Sequence, residues 1–269
     1  ARAAGRLSHP NIVTIYDAST EGGTTFIAME FLQGKDLREL MSNGKRFDVI
    51  EAVSIAYKVA NALAFAHNQG VIHRDIKPAN IFLVENNQPK VVDFGIARVP
   101  NRTLDENGQP QTLFKNNIMG TPNYMSPEQA SSQPVTALTD VYSLGATLYE
   151  MLTNQKPFSA SDLDKLLYNI ARKTPKSPDL INPDVPEKLA HIVMKAMQKK
   201  PHRRYKSAAE MALALNKFLA KEKRERRKSG GNNMISKTTS EMSEKGSLFW
   251  LGWASFIIAA ILVVLAFQK

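Results

Sequence analysis

The chain has 269 residues, of which 35 are Lys or Arg, 25 are Asp or Glu and none is Cys. That length accommodates one large domain or two modest ones at ~150 residues each. With 43% hydrophobic and 22% charged residues, the composition excludes wholesale disorder, collagen and a coiled-coil rod. The missing cysteine excludes a disulfide scaffold, a Cys-ligated zinc site and thiol catalysis. The net charge of +10 is unevenly spread: residues 1–216 carry 25 basic and 21 acidic side chains, whereas the twelve residues 217–228 carry seven and two. Half the excess lies in that one short run, so no nucleic-acid partner is expected. No basic-plus-apolar leader follows Ala1, so no signal peptide is expected.

The first elements read as strands. I-V-T-I-Y at 12–16 and F-I-A-M-E-F at 26–31 bracket E-G-G-T, the pattern of a β-hairpin. Asp48 and Glu51 predict a capping box. The helix it opens has an apolar stripe of Val49, Val53, Ala56, Val59, Ala60 and Leu63, and its stop signal is Asn68–Gly70. A second hairpin follows, I-F-L-V at 81–84 and K-V-V at 90–92 around the turn E-N-N-Q. Residues 93–138 contain five Pro and little periodicity, as a long functional loop would. Helical patterns then cover 139–153, 161–172, 185–198 and 206–220. Strands first and helices afterwards predict an α+β body.

Beyond the body, residues 229–247 contain twelve Ser, Thr, Gly or Asn in nineteen, a flexible-linker composition. The twenty uncharged residues L-F-W-L-G-W-A-S-F-I-I-A-A-I-L-V-V-L-A-F at 248–267 match the length of a helix crossing ~30 Å of hydrocarbon. Phe249, Trp250 and Trp253 lie near one end, and the positive charge precedes the span. The expectation is a single-pass protein of the cell membrane with its body in the cytoplasm.

The chemistry concentrates at the second hairpin. Asn80 immediately precedes its first strand and Asp93 immediately follows its second. Antiparallel pairing brings those ends together, so an amide oxygen and a carboxylate converge, a donor set suited to Mg²⁺ with substrate phosphates. Asp75 and Lys77 sit just upstream in H-R-D-I-K-P-A-N at 73–80, where an ammonium could neutralise a phosphoryl group in flight. A lone D-F-G or a lone His73 would say little. H-R-D-x-K-x-x-N followed thirteen residues later by D-F-G is a specific signal.

On those motifs, residues 1–220 resemble a bacterial, eukaryotic-like Ser/Thr protein kinase. G-T-P-N-Y-M-S-P-E at 120–128, T-D-V-Y-S-L-G at 139–145 and P-H-R-R-Y at 201–205 extend the likeness. The resemblance implies a kinase fold, chiefly the helical C-terminal lobe with remnants of the small β lobe. It implies that Asp75 accepts or orients the substrate hydroxyl proton, with Lys77 on the transferred phosphoryl group and Asn80 and Asp93 on Mg²⁺ or Mn²⁺. Thr121 would bond Asp75 and line the acceptor pocket. For ATP, Met29 would guard the adenine pocket, the backbone of Glu30 and Leu32 would bond adenine, and Phe82 would floor it. Asp140 would brace the catalytic loop, Glu128 and Arg204 would form a buried ion pair, and His73 and Phe94 would be packing residues. Arg74 implies an activation segment ordered by phosphorylation, with Thr112 favoured over Thr103 and Thr121 as the site.

The likeness also has gaps. The chain shows no G-x-G-x-x-G and no V-A-I-K-like strand, and the αC-type Glu would fall one position before Ala1. The expectation is therefore an N-terminally truncated kinase domain over 1–220, lacking most of its phosphate cradle and having little activity by itself. A basic and polar juxtamembrane linker at 221–247 and a transmembrane helix at 248–267 would follow it. Its partners would be ATP, the lipid bilayer and protein substrates with Ser/Thr acceptors near the membrane, with a homodimer left open. The alternative is a pseudokinase-like membrane scaffold or binding module.

Overall fold

The computed structural model describes residues 7–21, 24–94 and 122–226. Two units divide the chain, Ala1–Leu219 and Ala220–Lys269. The first opens on the hairpin of β1 (Ile15–Glu21) and β2 (Thr24–Met29), paired antiparallel from Ile15↔Met29 to Glu21↔Thr24. The strands extend closer to the turn than the hydrophobic runs suggested. The polar stretch Asp17–Glu21 joins the ladder because backbone pairing does not require apolar side chains. The register slips between Ile15 and Asp17, and Tyr16 stands exposed at that bulge.

A three-stranded sheet follows, with order β3 (Lys35–Asp36), β4 (Ile81–Val84), β5 (Gln88–Val91), all neighbours antiparallel. Gly34 precedes β3 because a Cβ there would lie 2.1 Å from the carbonyl oxygen of Leu83. The segment before β1 joins this sheet through Val13 N–H to Val91 O (2.9 Å) and Val91 N–H to Asn11 O (2.9 Å).

Helix α1 (Leu37–Ser42) leaves β3 directly, capped by Asp36 accepting from Glu39 N–H at 2.8 Å. Helix α2 (Val49–Asn68) starts at Asp48, whose carboxylate accepts from Ile50 and Glu51 N–H. Only this half of the expected capping box forms. The Glu51 carboxylate turns instead to Lys45 Nζ (2.8 Å) and Asn87 Nδ2 (3.1 Å), because a charged partner outbids a neutral backbone donor. The α2 stripe is buried from Ala52 to Ala66, and the helix ends at Gln69 with Gly70 at φ +74°. Among the described residues α2 is the one helix long and apolar enough to cross a membrane, but its buried stripe makes it a core helix. The apolar run 248–267, the linker 229–247, Thr112 and Thr121 lie outside the described residues.

The helices α3 (Pro127–Ala130), α4 (Ala137–Thr153), α5 (Leu163–Arg172) and α6 (Glu187–Ala196) come next, and a last helix, α7, covers 208–226. Helix α4 is buried on almost every side, with α2 and α6 packed against it, and its buried Thr139, Asp140 and Thr147 each have a hydrogen-bond partner. It starts two residues before the periodic pattern because Thr136 and Thr139 form a reciprocal capping box. At Gly145, a Cβ would sit 2.8 Å from the Ala196 methyl of α6 and 3.1 Å from Met197 Cγ, so the absent side chain sets how closely the two helices approach. Gly145→Ala should therefore cost about 1–3 kcal/mol in chemical denaturation. Combination with Ala196→Gly should cost less than the sum of the two single changes, since the clash is then relieved. Simple additivity would show that the α4–α6 approach is not the constraint.

Candidate active site

The loop 73–77 between α2 and β4 carries the charged groups, and its shape is imposed from beneath. Arg74 has φ +69°, a left-handed conformation that a non-glycine residue holds only when its surroundings demand it. The demand comes from Asp140 on α4, whose side chain is 0% exposed. One carboxylate oxygen accepts from Arg74 N–H at 2.7 Å; the other accepts from His73 N–H at 2.9 Å and from His67 Nε2 at 2.7 Å. On the opposite side of the same residue, Gln129 Nε2 donates to the Arg74 carbonyl at 2.8 Å.

His73 is buried edge-on against the Phe94 ring, centroids 4.7 Å apart. Its Nε2 meets the Val92 carbonyl at 2.7 Å and its Nδ1 meets Asp75 N–H at 3.2 Å. A carbonyl only accepts and an N–H only donates, so the network assigns the proton to Nε2. The imidazole thus ties the start of the loop to the end of the hairpin. As the sequence implied, His73 and Phe94 are packing residues.

Above this base, Asp75 presents a carboxylate 42% exposed, with Lys77 Nζ 2.7 Å from Oδ2. Asn80 is buried and donates from Nδ2 to the Asp75 carbonyl at 2.8 Å, which turns its amide oxygen to the other side. The hairpin closes as the sequence predicted. Ile81 pairs with Val91, and Val92 N–H donates to Asn80 O at 3.0 Å. That bond places Asn80 beside the residue preceding Asp93. Asp93 is exposed and held at φ +63°. Among the described residues no group of three His, Cys, Asp or Glu could hold a metal. An amide oxygen with one carboxylate nevertheless fits Mg²⁺, which takes most of its ligands from water and substrate phosphates.

The expected adenine-side residues lie along the strand ends. Met29 ends β2 and is 39% exposed, Leu32 is half-buried beyond it, and Phe82 sits half-buried on β4 opposite Asp36 and Lys90. Glu30 accepts from Thr14 N–H and from Lys90 Nζ, both at 2.7 Å, and its own N–H donates to Thr14 O at 2.9 Å. Burial pushes its carboxyl up, but the bonds from Lys90 and Thr14 outweigh that and hold it below the usual range.

The expected ion pair is present. Arg204 Nη1 and Nη2 reach the two oxygens of Glu128 at 2.8 and 2.6 Å, with both side chains buried. The remaining guanidinium donors go to the carbonyls of Gln198, Leu138 and Lys199, so no proton of the fork is wasted. Sequence reasoning missed Gln129, His67 and the bond from Tyr124 to Glu150. The S-P-E-Q capping box at 126–129 was a usable signal for the first, but nothing in the sequence marked its second bond to Arg74. A cavity of about 550 Å³ opens beside Lys77, between α1, the 77–79 loop, Tyr124 and the end of α4.

These elements define a protein-kinase-like fold, and the comparisons agree. The chain matches the protein kinase domain family over residues 2–218. It is 40% identical over 215 residues to the serine/threonine-protein kinase PknB of Mycolicibacterium smegmatis, covering 78% of this chain and 34% of that protein. It is 36% identical over 211 residues to a probable serine/threonine-protein kinase of Clostridium acetobutylicum, covering 78% and 31% respectively. Among solved structures, Rad53 residues 1–466 in complex with AMP-PNP superposes with a TM-score of 0.64 at 25% identity, over 78% of this chain and 52% of that one. The chain belongs to the protein kinase family. It spans about a third of the length of the curated relatives it matches.

The ion pair makes a pH prediction. Burial raises the Glu128 carboxyl, but Arg204 lowers it further, so the net folded value lies below the ordinary 4.5. The unfolded chain therefore takes up this proton first as pH falls. The pair's stabilisation is complete above pH 4.5 and is lost as pH falls through the lower folded value. Glu128→Gln should cost about 3–5 kcal/mol at pH 7 by leaving Arg204 buried without its counter-ion. Its stability should also fall less steeply than the wild type below pH 4.5. Parallel urea-denaturation profiles would refute an ionised pair.

Proposed function

We propose that the full-length protein is a membrane-anchored Ser/Thr protein kinase that transfers the γ-phosphoryl group of ATP to Ser or Thr hydroxyls of proteins near the membrane. The observation that carries this reading is the loop in which Asp75, Lys77 and Asn80 are hydrogen-bonded to one another, with Asp93 beside it across the hairpin. Family membership supports it, as does the AMP-PNP in the Rad53 structure. The domains are taken as 1–220 for the kinase body, 221–247 for the linker and 248–267 for the membrane helix.

In this reading the acceptor hydroxyl oxygen bonds to the γ-phosphorus as the bridging P–O bond to the β-phosphate breaks, and ADP leaves. Asp75 accepts the hydroxyl proton or holds the hydroxyl in line, because its exposed carboxylate is already oriented by Lys77 and by the loop beneath it. Lys77 exchanges part of its contact with Asp75 for the transferring phosphoryl oxygens. Asn80 and Asp93 would hold Mg²⁺ or Mn²⁺, which supplies charge neutralisation between the β- and γ-phosphates when bound. Met29, Glu30, Leu32 and Phe82 would surround adenine, and Thr121 would line the acceptor pocket. Residues 1–269 contain no G-x-G-x-x-G, so activity is proposed for the full-length protein, and this stretch alone is proposed to be inactive.

With Mg²⁺, ATP and a Ser/Thr peptide, the full-length protein should transfer phosphate, and Asp75→Asn should lower turnover by about 10²–10⁴-fold. The active protein should carry phosphate on Thr112, where contact with Arg74 would order the segment; the Asp75→Asn protein should not. Normal turnover in that variant, or a wild type that binds ATP without transferring phosphate, would favour the scaffold alternative.

The run 248–267 supports anchoring, since one helix of that length satisfies its own backbone in lipid. The nineteen residues 229–247 of the linker, as a flexible chain, would span about 25 Å between the body and its anchor. Carbonate-washed membranes should retain the protein and deletion of 248–269 should release it. Release of the intact protein by high salt would show that the basic run 217–228, not a spanning helix, holds it there.

A further inference from the structure

Arg74, the strained residue of the 73–77 loop, lies between two peptide units that are held by different groups. The unit before it is fixed by Asp140, which accepts from Arg74 N–H at 2.7 Å and thereby sets φ at +69°. The unit after it joins Arg74 to Asp75 and has one acceptor and one donor. Its acceptor, the Arg74 carbonyl, takes the bond from Gln129 Nε2 at 2.8 Å. Its donor, Asp75 N–H, reaches His73 Nδ1 at 3.2 Å. A non-glycine residue in the left-handed region has a narrow range of both φ and ψ, so fixing φ alone does not hold it. Gln129 makes the shorter of the two bonds on the second unit, and that unit sets the direction in which the Asp75 side chain leaves the backbone.

The chemistry of position 129 points the same way. Gln129 is the third residue of α3, and its side-chain oxygen accepts from Ser126 N–H at 3.0 Å while its own N–H donates to Ser126 Oγ at 3.3 Å. Glu fills that place in a capping box as well as Gln does, and a carboxylate is favoured near a helix N-terminus. The cap therefore does not account for an amide. The amide nitrogen does, because it is the part of Gln that a Glu carboxylate cannot imitate, and it donates to the Arg74 carbonyl. The side chain is buried, where a donor without an acceptor is costly. Its base is firm as well: the preceding Glu128 is held by Arg204 and by Thr139.

We infer that Gln129 is a positioning residue of the proposed phosphoryl transfer, whose amide holds the Arg74–Asp75 peptide unit and so aims the Asp75 carboxylate at the acceptor hydroxyl. The inference rests on the kinase reading and adds a residue to it. Gln129 touches no reacting atom and acts through the Arg74 carbonyl. Substrate binding is left to other groups, so loss of the amide should appear in the chemical step, as a lower kcat at unchanged KM. The same bond makes the aim of Asp75 depend on α3 being in place.

The test uses full-length protein with Mg²⁺, ATP and a Ser/Thr peptide, and compares three variants with the wild type. Gln129→Glu keeps the cap to Ser126 and loses the donor to Arg74, whereas Gln129→Met loses both without adding charge. Ser126→Ala removes the hydroxyl half of the cap and leaves the bond to Arg74 intact. Both Gln129 variants should lower kcat about ten- to a hundredfold. Their KM for ATP and for peptide should stay within about twofold of the wild type. Ser126→Ala should lower the urea midpoint and keep kcat. Hydrogen–deuterium exchange of the Asp75 amide gives a readout independent of catalysis, and it should quicken in both Gln129 variants and not in Ser126→Ala. Transfer by the wild type tests the kinase reading alone; faster exchange supports the held peptide unit even if no phosphate is transferred. A wild-type kcat in Gln129→Met, a change confined to KM, or an equal loss of kcat in Ser126→Ala would overturn the inference. So would unchanged exchange at Asp75.

Discussion

Asp140 is the constraint around which the rest is built. A carboxylate with no solvent exposure must have its charge met by donors, and the three it accepts are two consecutive backbone N–H groups of the 73–74 segment and a ring nitrogen of α2. Two consecutive N–H groups can point at one carboxylate only if the backbone between them turns sharply, which is where Arg74 adopts φ +69°. The chain then leaves the core at Asp75 with its side chain outward. Gln129 holds the Arg74 carbonyl from α3, so the strained residue is gripped at both its donor and its acceptor. The position of the Asp75 carboxylate is thus inherited from a helix 65 residues further along the sequence.

Glu128 and Arg204 do the same for the lower half of the body. Their pair joins α3 to the segment before α7, and Thr139 of α4 donates to the same Glu128 oxygen at 2.8 Å. Arg204 also lies over the Tyr142 ring at 5.1 Å. Every buried charge in this region has a charged or backbone partner, whereas Asp75 and Asp93 keep exposed carboxylates. The division is physical. Ions that hold the fold are saturated with protein donors, while the two proposed to face metal and substrate keep lone pairs free. Lys199 illustrates the cost of the first arrangement. Burial against Phe158 and Tyr142, followed by the charge of Arg204, pushes its ammonium down to about 8.

Much of this was legible in the sequence where the signal is local. The second hairpin, the long α2 and the four later helices follow from turn residues and apolar periodicity, and the H-R-D-I-K-P-A-N and D-F-G segments mark the loop and the hairpin ends. Legibility failed where a side chain answers to a distant partner. Glu51 looked like half of a capping box, yet Lys45 and Asn87 claim it. The strand β1 ran into polar residues because backbone pairing with β2, not hydrophobicity, decides its length. Gln129 and His67 are invisible as site residues until α3 and α2 are brought against the loop. Tyr124 and Glu150 are 26 positions apart, and no periodicity connects them.

The arrangement of charge around Asp75 follows from the same rule that placed Asp140. Glu150 is the one carboxylate lining the cavity beside this loop, and Tyr124 donates its hydroxyl to it. A phenol carries no charge, so that bond does not neutralise Glu150; the surface is positive because Arg38, Arg46, Lys77 and Lys156 outnumber that one carboxylate. The segment that carries Tyr124 also begins the turn Pro122–Tyr124, where Asn123 anchors to the Phe158 carbonyl at 2.7 Å. Tyr124 is thus held at both ends, its hydroxyl by Glu150 and its backbone beside a residue anchored to the Phe158 carbonyl.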